Sequence, residues 1–110
     1  MAHEHHSELI AALTACAAEC NHCFAACLEE QDVKMLAKCI KLDRDCADIC
    51  TLAASLIARS SEHGKHLLKE CAEVCTACAE ECEKHAAMGM EHCKKCAEAC
   101  RACAKACQAA

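Results

Sequence analysis

Cysteine recurs along this chain with gaps of four and three residues, and that rhythm constrains the fold more than any other feature. The sets are Cys16, Cys20, Cys23, Cys27; Cys39, Cys46, Cys50; Cys71, Cys75, Cys78, Cys82; and Cys93, Cys96, Cys100, Cys103, Cys107. Together they hold all 16 cysteines of the 110 residues. A four-three alternation averages about 3.5 residues, close to the roughly 3.6-residue turn of an α-helix. Each set therefore forms one stripe on one helix face. In an ordinary bundle such a stripe is aliphatic and faces the core. Here the core-facing stripe is thiol, a soft ligand for soft metal ions.

The apolar fraction of 55% owes much to cysteine and alanine. Phe24 is the single aromatic, and large aliphatics are few. The oily core is thin for one domain of this length, so bound metal is a candidate for completing its stability. Net charge is −5, with acids and bases interspersed (Glu80, Glu81, Glu83 with Lys84; Lys94, Lys95 with Glu98, Arg101). That pattern suits a solvated surface and gives nucleic acid no basic, aromatic-studded patch. No apolar run approaches the roughly 20 residues expected of a membrane span. Met1-Ala2-His3-Glu4-His5-His6 carries no Lys or Arg, so a secretory or twin-arginine signal is not expected. The expected location is the cytosol, where thiols stay reduced.

No proline interrupts the chain, and glycine occurs only at Gly64 and Gly89. The pattern predicts helix one from about Ser7, as N-cap, to about Glu29. Helix two runs from Asp32, its candidate N-cap, to about Arg59. Residues 60–64 form a turn. Helix three runs to about Ala87, where Gly89 permits a left-handed cap. Helix four runs from about Met90 to Ala106 or beyond. Loops this short join antiparallel neighbours. The expected fold is all-α, an up-down-up-down antiparallel four-helix bundle with a cysteine-lined core. It fills one domain, 1–110, with 1–6 a flexible tail.

The two ends of this bundle differ. One collects Leu9, Ile10, Leu13, Leu52, Leu56, Ile57, Leu67 and Leu68, an aliphatic plug. The other collects Met35, His85, Met88 and Met90. Met35 lies one helical step before Cys39, and His85 one step after Cys82. Thioether and imidazole are neutral ligands, and thioether favours Cu(I). This end reads as a mouth passing metal inward, although methionine also serves as flexible core filler. The stripe of helix two carries Asp43 where its rhythm asks for a cysteine. A buried lone carboxylate is costly. Asp43 either sits near solvent at the bundle end or meets a cation. His22 and His66 fall off the stripes, and His63 and His92 lie near turns where the sequence assigns no role.

Rows of thiols on rigid helices suit an ion content with two sulfurs, each sulfur bridging two ions. Cu(I) fits that description, at about one ion per cysteine and about 16 in all. Each Cu(I) replaces one thiol proton, so the loaded core stays neutral. Four Zn(II) in separate tetrathiolate sites would bury about eight uncompensated negative charges.

With these Cys-x3-Cys repeats on all four helices and a Met/His-bearing end, the chain from Ser7 to Cys107 resembles the bacterial copper storage proteins of the cytosolic, four-helix kind. The resemblance implies sequestration of many Cu(I) ions per bundle, assembly as homotetramers, and the sixteen cysteines as inward-facing ligands. Three other readings compete: a zinc-thiolate reservoir, a disulfide-stapled structural bundle, and an iron–sulfur electron carrier. The last lacks the usual ferredoxin run with its trailing proline. An enzyme is not expected, since no nucleophile–base pair, phosphate loop or open catalytic metal site is apparent.

Overall fold

A computed structural model describes the backbone of residues 2–110, with side chains from His6 onward. Four helices carry the chain: α1 (Ala2–Leu28), α2 (Ala37–Ala58), α3 (Gly64–Ala86) and α4 (Glu91–Ala109). A short 3-10 turn, Val33–Leu36, precedes α2. Each helix packs on its two sequence-adjacent neighbours, with α4 closing back on α1. The short links make consecutive helices antiparallel, and the bundle measures 47 × 18 × 18 Å.

Helix α1 begins upstream of Ser7, so Ser7 is an interior residue and not its cap. Nothing in Ala2–His6 breaks a helix, which lets the pattern extend backwards. The expected flexible tail falls largely on residues whose side chains lie outside the described ones. The segment His6–Leu28 is long and apolar enough by composition to cross a membrane, at a mean hydropathy of 1.3, contrary to the sequence expectation. That apolarity comes largely from alanine and cysteine, and the four cysteines of α1 are buried against the other helices.

Asp32 caps the 3-10 turn instead of α2, with no side-chain hydrogen bond. Leu36 takes the buried position ahead of Cys39, fully enclosed, and Met35 points out at 44% exposed. Met35 was expected on the Cys39 stripe four residues before it, but the alternation calls for a gap of three there, which falls on Leu36. Leu52 is likewise half-exposed, not part of the plug. It sits two residues beyond Cys50, roughly 200° around the helix.

Two helices end in the same capped geometry. After α3, the N–H of Met90 donates to the His85 carbonyl (3.3 Å) and that of Gly89 to Ala86 (3.0 Å). After α2, the N–H of Ser61 donates to Leu56 (2.9 Å) and that of Ser60 to Ile57 (3.1 Å). Both are Schellman caps, which need a left-handed residue at the turn. Gly89 supplies it at φ 96°, as expected, but after α2 the residue is Ser60 at φ 54°. Gly64, assigned to the turn from sequence, opens α3 instead. A Cβ there would lie 2.8 Å from Ile57 Cδ1, so the glycine admits the plug isoleucine.

The caps give a paired prediction. Gly89 has open space around its missing Cβ, so Gly89→Ala loses only backbone freedom and should cost about 1 kcal/mol. Ser60→Gly should instead stabilise, by up to about 1 kcal/mol. Urea denaturation of the metal-free protein reads both, and equal signs would contradict the cap assignment.

Candidate metal centre

All sixteen cysteines are buried free thiols, and neighbouring sulfurs lie 3.5–4.0 Å apart. A disulfide needs about 2.05 Å, so the core is packed with thiols and not stapled. The contacts run between helices as well as along them. Cys16 meets Cys46 and Cys100 at 3.7 Å, Cys50 meets Cys71 at 3.6 Å, and Cys39 meets Cys82 at 3.5 Å.

Groups of four sulfurs, all mutually within 4.8 Å, follow one another down the axis. Among them, taken from the Met/His-bearing end, are Cys23/Cys27/Cys39/Cys93, Cys20/Cys78/Cys96/Cys100 and Cys16/Cys20/Cys46/Cys100. Further along are Cys16/Cys46/Cys50/Cys75 and Cys50/Cys71/Cys75/Cys103. Consecutive groups beyond the first share Cys20, Cys100, Cys16, Cys46, Cys50 and Cys75. Shared corners make one continuous seam in place of separate pockets, and a shared sulfur is placed to bridge two ions.

Proximity divides the thiols. Hydrogen bonding centred on Cys100 holds Cys46 down to about 7. Burial, then the nearby Cys39, pushes Cys27 up to about 12.

Asp43 is fully enclosed by this seam, next to the mouth group and not at a solvent-facing end. Its Oδ1 accepts from the thiols of Cys78 (3.3 Å), Cys96 (3.4 Å) and Cys82 (3.6 Å), and its Oδ2 from Cys39 (3.9 Å). The solvent alternative is therefore excluded. Burial, reinforced by Cys96, Cys39 and Cys78, pushes its carboxyl up to about 10. A neutral acid hydrogen-bonded on both oxygens solves the desolvation problem without an ion.

Two histidines mark the mouth. His92 Nε2 donates to Glu30 Oε2 at 2.9 Å, which leaves Nδ1 as the lone-pair nitrogen. Nδ1 faces the sulfurs of Cys93 (3.5 Å), Cys23 (3.6 Å) and Cys27 (3.9 Å). His85 repeats the construction on α3. Its Nε2 lies 3.1 Å from Glu81 Oε2, and its Nδ1 is buried without a hydrogen-bond partner. Lys84 and Lys38 approach the same carboxylate at 3.3 and 3.9 Å. A carboxylate that orients an imidazole and leaves its other nitrogen free is a recurrent support for metal-ligating histidine. Met90 packs partly buried on the core, whereas Met35 and Met88 stay exposed on the outer rim. His22, His63 and His66 face solvent.

The sequence reading assigned no role to His92 and did not consider Glu30. One signal was available: His92 adjoins Cys93 and stands four residues before Cys96, at the edge of that stripe.

A family model for copper storage proteins matches residues 2–110. The chain belongs to the copper storage protein family. Among solved structures, it is 43% identical to the Cu(I)-bound copper storage protein BsCsp3, covering 96% of both chains at a TM-score of 0.89. It is 44% identical to a cytosolic copper storage protein from Streptomyces lividans carrying five coppers, covering 98% of this chain and 92% of that one at a TM-score of 0.93. It is also 46% identical over 65 residues to the cysteine-rich protein YhjQ of Bacillus subtilis (strain 168). That match spans 58% of this chain and 60% of that relative.

The elevated Asp43 pKa sets a pH dependence for this family member. Between its usual 3.8 and about 10, the folded chain holds a proton that the unfolded chain has lost. Metal-free stability therefore falls as pH rises through that window, by at most about 1.4 kcal/mol per pH unit. Asp43→Asn keeps the shape without the proton. Its stability advantage over the parent should grow from pH 4 to pH 8 in urea denaturation, and a constant difference would show that Asp43 is ionised in the fold.

Proposed function

We propose that this protein sequesters Cu(I) in its core, at about one ion per cysteine and about 16 ions per chain. The observation that carries the reading is the continuous seam, in which most four-sulfur groups share corners with the next. Bridged two-coordinate ions use every shared sulfur, whereas separate tetrathiolate Zn(II) sites cannot. Loading exchanges thiol protons for monovalent ions, so the buried core gains no net charge. Kinship to Cu(I)-bound and copper-loaded structures supports the same cargo.

His92 and His85 receive the ion at the mouth. Met90 lies just outside them, with Met35 and Met88 on the rim. The ion passes to Cys23, Cys27, Cys39 and Cys93, and then inward by exchange between touching thiolates. Asp43 gives up its proton as the seam around it fills and offers an oxygen to the ions beside it. The role is binding, not catalysis: four-sided burial leaves no position for a substrate. The working location is the cytosol, where the thiols remain reduced, and the assembly is a homotetramer, as the sequence resemblance implies.

Anaerobic Cu(I) titration against a strong chelator, with bound metal counted by native mass spectrometry, tests this reading. Saturation near 16 ions is expected, with zinc stopping near four. Copper saturation at four or fewer would overturn it. His92→Ala should slow uptake by about tenfold while changing the final count by no more than about one ion. A large loss of capacity would make His92 a storage ligand instead of a receiver.

A further inference from the structure

The thiol seam is closed at every cysteine but one. Fifteen cysteines have no exposed surface, and Cys107 has 6%. Cys107 is the last sulfur of the seam, beside Cys71 and Cys103, which joins the row through Cys50 at 3.9 Å. It lines a groove of about 690 Å³ on the flank between α3 and α4. Leu9, Leu13 and Ile57 of the aliphatic plug cover the axial end of the bundle, and its Leu68 lines one end of this groove. The facing wall is built from small side chains, Ala72, Thr76 and Ala77, so the helices leave room beside the sulfur. Lys65 and Lys69 stand at the level of Cys107, Glu73 lies one turn further on, and Glu80 is at the far end of the groove. Along α4, Cys107 lies about 21 Å from Cys93 at the mouth.

We propose that this groove is a second opening of the seam, through which a low-molecular-weight, carboxylate-bearing thiol withdraws stored Cu(I). The volume is that of a small-molecule site. Only another soft ligand competes with thiolate for Cu(I), and the two lysines favour an anionic one. The step is a ligand exchange. Two incoming thiols form Cu–S bonds, the Cu–Sγ bonds to Cys107 and to the ion's second cysteine break, and the two thiol protons pass to the two freed thiolates. Copper stays Cu(I), so no oxidant or reductant is required. Uptake and release then occupy opposite ends of the row, and an ion leaving at Cys107 is replaced from Cys71 and Cys103. The release half rests on the copper-storage reading; the opening itself does not.

Two measurements on the protein in its native assembly test this. The first is anaerobic pulse-alkylation of the metal-free protein with iodoacetamide, followed by peptide mapping. Cys107 should be modified first, about tenfold faster than Cys93. The second is removal of Cu(I) from the loaded protein by glutathione or by neutral 2-mercaptoethanol. The double substitution Lys65→Glu, Lys69→Glu should slow glutathione severalfold and leave the neutral thiol and the total copper count unchanged. First alkylation at Cys27 or Cys93 would overturn the opening. Glutathione removal that slows in His92→Ala but not in the lysine variant would overturn the release route. Failure to load copper at all would instead defeat the storage reading, and the alkylation result would still decide whether the groove opens the seam.

Discussion

Contact between sulfurs at 3.5–4.0 Å across four helices is the constraint on which the rest of this bundle depends. Cysteine is small, so the helices approach until opposing thiols touch. It is also a weak hydrogen-bonding group that behaves much as a small hydrophobe. A buried thiol therefore needs no strong partner, and a metal-free row of them packs without the penalty that buried amides or carboxylates would carry. The same atoms become strong ligands once their protons leave. One residue type thus fills the core of the metal-free fold and, on the proposed function, is the coordination site of the loaded one.

Such a core is poor in aliphatic area, and the molecule places what it has at the two ends. Leu9, Leu13, Ile57 and Leu68 seal one. Leu36, fully buried, anchors the α1–α2 connection at the other. Leucine at the mouth end holds the 3-10 turn against the bundle without occupying the seam. The polar groups near it are arranged in pairs, Glu30 with His92 and Glu81 with His85, each carboxylate consuming one ring nitrogen. The remaining nitrogen of His85 is left buried without a partner. An orphaned buried acceptor costs about 1–3 kcal/mol, a cost that a cation bound there would relieve.

The fold and the inward burial of all sixteen thiols were legible in the sequence because both follow from one periodicity. A four-three repeat identifies a helix face, and sixteen thiols on four such faces converge wherever the helices pack. The rhythm also held the answer at Met35: the gap before Cys39 should be three, which gives the buried Leu36, whereas four gives the exposed Met35. Depth was not legible at all. The stripe showed which way Asp43 points but not how far along the axis it lies, and its thiol partners Cys78, Cys82 and Cys96 come from two other helices. His92 was obscured for a related reason. Its role depends on Glu30, 62 residues away, which the α1–α2 connection carries over the mouth.

Asp43 also shows why one oxygen in a row of sulfur is tolerated. An ionised carboxylate at that depth would be cut off from water among buried sulfurs with no cation nearby, so in the metal-free fold it keeps its proton and accepts from the surrounding S–H groups. A cysteine there would add one more soft ligand but no change of preference. The carboxyl adds a harder donor whose proton is held more tightly than in water. On the proposed entry route, ions passing the histidines would meet that residue before most of the seam and would be the ones to displace its proton.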